Sequence, residues 1–250
     1  MRIAIVKLSS LGDIVNTMFV LQFIKKHYPF SEIDWIVEKN FEGVLKYNPH
    51  ISKIRTVNLH KAKREKSLFV LLSELSKVKS FGNYDLVLDF QGLIKTAIIS
   101  KLLKSNKIVG FDWNSTREGI ASIVYSQKIS IGYDQNTILR YKKLISEALN
   151  FEITDEELLE KEPYLFTKSS ILLPKKPYLV FIVGSTWESR NYPKEKFIQV
   201  ANILKKDCII VWGSDEEKQK AESMSRESSY ISVMPKLSLD DLKFVISNAN

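Results

Sequence analysis

The sequence predicts an α/β protein built from two doubly wound, Rossmann-like halves. Three observations carry that expectation. Short β-rich apolar runs alternate with longer stretches of helical period, the pattern of βαβ units around a parallel sheet. The alternation stops at a proline-punctuated segment, Phe166 to Pro177. It then restarts with a second set of strands and helices.

Taken in order, Arg2 to Lys7 reads as a buried strand, and Leu11 to His27 as a helix stopped by Pro29. Glu32 to Val37 and Ile54 to Val57 are further strands, with a short helix around Phe41 to Tyr47. Ser67 to Lys79 carries apolar residues at helical spacing. Tyr84 to Asp89 is a strong strand followed by a helix from about Leu93 to Leu103. Lys107 to Gly110 is a short strand, and Thr137 to Leu149 a helix. Beyond the break come a strand at Tyr178 to Val183, a helix from Pro193, a strand at Cys208 to Val211, a helix from Asp215 and a strand at Tyr230 to Val233. Proline suits a first helical position, where its missing N–H is no loss. Ser238 with Asp241 then marks one more helix start. The division expected is 1–165 for the first domain, 166–177 for a linker and 178–250 for a partial second domain. Only three strand–helix units precede Asn250, so the expectation is a chain shortened at its carboxyl end.

Composition narrows the function. The chain has 250 residues, 44% of them hydrophobic and 26% charged, as in globular proteins. No apolar run approaches the ~20 residues of a membrane span. The amino terminus lacks a signal-peptide pattern. One cysteine, Cys208, excludes an internal disulfide framework and fits a reducing compartment. The three histidines, His27, His50 and His60, lack metal-ligand spacing. A net charge of +8 suits nucleic acid, an anionic membrane face or phosphorylated substrates. No RNP, zinc-finger or KH pattern supports the first.

Four strand-end loops carry polar chemistry. The first is Lys7-Leu-Ser-Ser-Leu-Gly-Asp13, placed where ligands bind doubly wound sheets. It lacks G-x-G-x-x-G, and Asp13 at a helix start repels phosphate, so the turn suits a hydroxyl better than a diphosphate. A helix cap formed by Ser10 and Asp13 is an equal reading from spacing alone. The second is Asp89-Phe-Gln-Gly-Leu-Ile-Lys-Thr96, whose Asp89 and Gln91 offer hydrogen bonds to a polyhydroxylated ligand. In the third, Gly110 to Glu118, Arg117 suits a carboxylate or phosphate, unless Glu118 or Asp112 pairs with it. The fourth, Gly184-Ser-Thr-Trp-Glu-Ser-Arg190, is small and hydroxyl-rich, with a cation fit for a diphosphate leaving group. A basic run, Lys53 to Lys66, sets six Lys or Arg against Glu65. It reads as solvated surface, an anion-receiving patch or a membrane face.

Together these segments resemble the lipopolysaccharide heptosyltransferases of glycosyltransferase family 9 along nearly the whole chain. R-I-A-I-V-K-L-S-S-L-G-D-I-V-N-T is similar to that family's amino terminus. D-F-Q-G-L-I-K-T-A, G-F-D-W-N-S-T-R-E, Y-P-K-E-K-F, V-W-G-S-D-E-E and M-P-K-L-S-L resemble the members that add the first heptose to Kdo. The resemblance implies a GT-B fold with its active site in a cleft between the halves. It implies an inverting, metal-independent transfer of heptose from ADP-heptose to Kdo-lipid A, without cofactor or nucleic acid. The enzyme would be cytoplasmic and peripheral to the inner membrane. Asp13 would be the base. Ser185, Thr186 and Arg190 would meet the donor diphosphate, Glu216 the ribose and Leu237 the adenine. Ser9, Ser10, Gly12, Gln91, Arg117, Lys61, Lys63 and Arg64 would meet the acceptor. Two departures stand out. The family usually has lysine at the position of Arg190, and its D-T-G-x-x-H loop has no counterpart here, which implies an incomplete donor site and weak activity. A second-heptose transferase and a non-catalytic nucleotide- or sugar-binding module remain open alternatives. A dehydrogenase lacks its glycine fingerprint.

Overall fold

The computed structural model describes residues 1–185 and 188–249. It divides into two compact units, 1–165 and 166–250. Both are α/β.

Unit 1 runs β1 (Arg2–Val6), α1 (Leu11–Met18), α2 (Val20–His27), β2 (Glu32–Glu38), α3 (Glu42–Leu45), β3 (Lys53–Val57), α4 (Leu59–Arg64), α5 (Leu68–Lys79), β4 (Leu86–Asp89), α6 (Ile94–Leu102), β5 (Ile108–Phe111), β6 (Gln127–Ile129), α7 (Thr137–Leu149) and α8 (Asp155–Leu159). Its six strands form one sheet in the order β3-β2-β1-β4-β5-β6. Every pair in it is parallel. A parallel sheet is covered on both faces, which is why its strands read as apolar runs. Side chains alternate along β1. Ala4 and Val6 join one core with Ile36, Val57, Val78, Val87, Ala97 and Ala121. Ile3 and Ile5 alternate to the opposite face and are equally buried.

Two features depart from the periodicity. The helix expected over Leu11 to His27 breaks at Phe19 into α1 and α2. The Thr17 hydroxyl donates to the Asp13 carbonyl at 2.7 Å, and such back-bonding one turn upstream bends helices. Strand β6 is three residues at the sheet edge, too short and too polar to show a period. At the amino edge of the sheet, Asp34 receives both Arg2 (2.9 Å) and Arg55 (3.1 Å).

Unit 2 runs β7 (Tyr178–Ile182), α9 (Lys194–Leu204), β8 (Asp207–Val211), α10 (Asp215–Glu227), β9 (Ile231–Val233) and α11 (Leu239–Ser247). Its parallel sheet has the order β7-β8-β9. Pro193 stands at the cap of α9, one position before the helix. One face buries Phe181, Ile210 and Met224, and the other Tyr178, Ile209 and Val245. The irregular stretch after residue 165 lies along this second face. Ile171 and Leu173 pack into its core, and Ser169 Oγ donates to Asp241 at 2.6 Å. Cys208 is fully buried in β8, where desolvation pushes its thiol pKa up. It is an inert strand thiol.

Candidate active site

In unit 1 the chain leaves β1 toward β2 on one side, while β4 lies on the other. This reversal is the switch point at which doubly wound sheets open a crevice beyond their carboxyl ends. A cavity of about 290 Å³ opens there, lined by Lys7, Ser9, Ser10, Asp13, Gln91, Arg117, Arg140 and Tyr141 among others.

The two turns that form it are fastened to each other. Gln91 Oε1 accepts from the Leu8 amide at 2.8 Å and the Ser9 amide at 3.4 Å. Its own turn hangs on Asp89, which is fully buried. Asp89 Oδ1 accepts from the amides of Gln91 (2.9 Å) and Gly92 (3.1 Å), and Oδ2 from the Tyr125 hydroxyl (2.9 Å). Burial pushes the Asp89 pKa up, against the opposing pull of these donors. Gly92 sits at φ +65° with Thr116 Cγ2 2.8 Å from where a Cβ would stand, so both conformation and space demand glycine.

Asp13 occupies the first turn of α1. Its Oδ2 accepts from the Ser10 amide (3.1 Å) and the Ser10 hydroxyl (2.8 Å). Among the described residues nothing donates to Oδ1. One oxygen is thus held and the other is available to a ligand hydroxyl. The cap reading and the ligand reading are compatible.

Three cations share the cavity with this one carboxylate. Lys7 is buried at the end of β1, its Nζ 5.4 Å from the Tyr141 ring centroid. Arg140 lies between the rings of Phe111 (4.7 Å) and Tyr133 (4.8 Å). It donates to the carbonyls of Tyr133 and Ser115, and its buried Nε has no partner among the described residues. Desolvation lowers its pKa, yet a guanidinium stays charged. Arg117 is exposed and forms no ion pair among the described residues. Its two possible partners are occupied: Glu118 accepts from the Ile94 amide at 2.7 Å, and Asp112 from Ser115 at 2.6 and 2.9 Å. Burial would raise Asp112, but its hydrogen bonds outweigh this and hold it below the usual carboxylate range.

Asp13, Ser9, Ser10, Gln91 and Arg117 therefore meet in one cavity, and Lys7 and Arg140 join them unforeseen. A lysine closing an otherwise apolar strand was the available signal for Lys7. Arg140 had none, sitting near the amino-terminal end of α7. Gly12 does not line the cavity, and a Cβ there would meet nothing within 4 Å. Lys61, Lys63 and Arg64 lie elsewhere, on α4. Lys61 and Arg64 border a hollow with Asn40 and Asn58, and Lys63 borders an apolar one with Leu68 and Leu71.

In unit 2, Ser185 and Arg190 are exposed beyond β7, Arg190 closing the short 3-10 helix Glu188–Arg190. Thr186 lies outside the described residues. The Lys220 ammonium spans the loop, donating to the carbonyls of Val183 (3.2 Å) and Tyr192 (3.3 Å). Glu216 is exposed at the start of α10. Its neighbour Glu217 caps that helix, accepting from Gly213 N at 2.6 Å. A Cβ at Gly184 would collide with the Glu217 carboxylate. Leu237 is half-buried against the core of the α11 face.

The family profile for glycosyltransferase family 9 (heptosyltransferase) matches residues 76–250. Lipopolysaccharide heptosyltransferase 1 of Campylobacter coli is 36% identical over 260 residues, spanning 97% of this chain and 74% of that protein. The solved E. coli heptosyltransferase WaaC with ADP superposes with a TM-score of 0.86 at 25% identity, covering 100% of this chain and 79% of that one. The same enzyme with ADP-2-deoxy-2-fluoro heptose gives 0.83 at 25% identity, with 100% and 81% covered. These neighbours share the GT-B class of the two Rossmann-like units.

Proposed function

The chain belongs to glycosyltransferase family 9, and from that premise we propose that it transfers heptose from ADP-heptose to the Kdo of Kdo-lipid A in lipopolysaccharide inner-core assembly. The observation that carries this reading is Asp13, held by Ser10 through one oxygen in a cavity with three cations.

That cavity suits a hydroxyl-bearing sugar acid. The Kdo carboxylate has Lys7, Arg117 and Arg140 to meet it, and Gln91 and Ser9 offer polar partners to its hydroxyls. Asp13 Oδ1 accepts the proton of the attacking hydroxyl as that oxygen bonds to the heptose anomeric carbon. The bond from that carbon to the ADP phosphate oxygen breaks on the opposite side, and the configuration inverts. The proton ends on Asp13, and the electron pair leaves with ADP. Arg190, with the hydroxyls of Ser185 and Thr186, offsets the charge that develops on the phosphate. Glu216 is assigned to the ribose and Leu237 to the adenine. Domain 1–165 is thereby the acceptor half and 178–250 the donor half. A lipid-borne acceptor places the reaction at the cytoplasmic face of the inner membrane.

The test is incubation of the protein with ADP-heptose and Kdo-lipid A, read by product mass. A heptosyl adduct of Kdo-lipid A is expected. Transfer only to an acceptor that already carries heptose would overturn the acceptor assignment, and binding of ADP-heptose without transfer would overturn the reaction.

A further inference from the structure

We infer that Asp89 and Tyr125, neither of which lines the cavity, are positioning residues for the proton-accepting turn and act on Asp13 through Gln91. The inference rests on the proposed reaction for its kinetic readout alone.

Asp89 is a buried ionisable group that the proposed chemistry leaves unused. It is wholly shut off from solvent and, among the described residues, pairs with no cation. Burying an uncompensated carboxylate is costly, and a well-packed apolar residue would hold a core together at least as well. What a carboxylate adds is acceptor capacity, two oxygens that fix donors from different segments at once.

Those donors come from two segments. Oδ1 takes the amides of Gln91 and Gly92 in the turn after β4, and Oδ2 takes the Tyr125 hydroxyl at 2.9 Å. Tyr125 caps the 3-10 helix Gly119–Val124 and is 4% exposed. Its ring passes so close to β5 that a Cβ on Gly110 would stand 2.4 Å from Tyr125 Cε2. Strand β5 thus gives up a side chain to admit this ring. Burial, with the Asp89 charge beside it, pushes the pKa of the Tyr125 hydroxyl up and keeps it a donor.

Hydrogen bonds lead from this pair to the base. Asp89 stands beside Val6 in the sheet, and the Phe90 amide donates to the Val6 carbonyl at 3.1 Å, so β1 and β4 end together. The two amides on Oδ1, with the positive φ of Gly92, fix the direction in which the Gln91 side chain leaves its turn. Gln91 crosses to the Leu8 and Ser9 amides, and the next residue, Ser10, holds Asp13. Loosening Asp89 therefore frees Gln91, and with it the backbone from which Asp13 hangs. A small displacement of a proton acceptor costs rate and leaves ground-state binding nearly intact.

The experiment compares wild type with Tyr125→Phe, Asp89→Asn and Asp89→Ala in two measurements. Transfer from ADP-heptose to Kdo-lipid A gives kcat and both KM values, and amide hydrogen exchange follows residues 7–13. Tyr125→Phe deletes one hydroxyl outside the cavity. It should lower kcat about fivefold with both KM values within about twofold of wild type. Exchange across 7–13 should quicken about fivefold while β2 and α7 exchange as before. Asp89→Asn keeps an oxygen for the two amides and should stay within about threefold of wild-type kcat, whereas Asp89→Ala should fall at least ~10-fold. Where Asp89→Ala does not fold, Tyr125→Phe decides by itself. Wild-type kcat in folded Tyr125→Phe, exchange that quickens evenly over unit 1, or a raised acceptor KM at unchanged kcat would overturn the inference. If wild type makes no product yet Tyr125→Phe loosens residues 7–13 selectively, the reaction fails and the coupling to the turn stands. If wild type transfers heptose and Tyr125→Phe matches it in rate and exchange, the coupling fails and the reaction stands.

Discussion

The turns that follow β1 and β4 in unit 1 differ in construction from the loop that follows β7 in unit 2. In unit 1 the polar residues hang on a fully buried carboxylate, Asp89, and on Gln91, which bonds across to the neighbouring turn. In unit 2 Ser185 and Arg190 are exposed, and Lys220 bridges the carbonyls of Val183 and Tyr192 at the two ends of the loop. Under the proposed reaction this is a division of labour. The group that would take the proton needs fixed geometry before substrate arrives, because misplacement costs rate steeply. The groups that would neutralise a flexible diphosphate sit at an exposed rim.

The firmness of the unit 1 turns depends most on Asp89. Asp89→Ala leaves the amides of Gln91 and Gly92 and the Tyr125 hydroxyl without their acceptor, and should cost ~3 kcal/mol or more of unit 1 stability. Denaturant unfolding measures this; a loss under ~1 kcal/mol would mean that Asp89 does not hold the turn. Lys220→Met should raise the KM for ADP-heptose several-fold while moving stability by about 1 kcal/mol or less. An unchanged KM with lowered acceptor affinity would assign the loop to the other substrate. Arg190→Lys keeps the charge at an exposed position, so kcat should stay within about threefold, whereas Arg190→Ala should lower it further. Equal kcat for both would remove the cation from leaving-group departure.

The smallest effect concerns pH. Asp241 is held below its usual 3.8 by hydrogen bonds from Ser169 and Ser238. Its folded pKa is depressed, so the ionised form stabilises unit 2 above pH 3.8 and that contribution fades as pH falls below it. The stability difference between wild type and Asp241→Asn should therefore be present at neutral pH and vanish in acid. A difference that grew in acid would reverse the sign.

Much of the fold was legible because β1, β4 and β8 are buried on both faces and read as apolar runs. Breaks set by single contacts were not. Thr17 bonds back to Asp13 just before α1 gives way to α2, and no periodicity encodes that. Edge strand β6 was invisible because Gln127-Lys-Ile owes its pairing to β5 and not to its own pattern. In the site, Asp13, Ser9, Ser10, Gln91 and Arg117 stood out as polar residues in strand-end turns. Lys7 reads as a strand terminus, and Arg140 belongs to a helix more than a hundred residues further along. Only tertiary packing over Phe111 and Tyr133 brings Arg140 to the cavity.

The proposed role of Asp13 as acceptor of the attacking hydroxyl's proton is tested by the kcat of Asp13→Asn on ADP-heptose and Kdo-lipid A, with circular dichroism and melting temperature recorded in parallel. The expected result is a fall of ~10²-fold or more with the fold and KM for donor little changed. Near-wild-type kcat in a folded Asp13→Asn protein would contradict it, leaving Asp13 as a helix cap and sending the search for the base elsewhere in the same cavity.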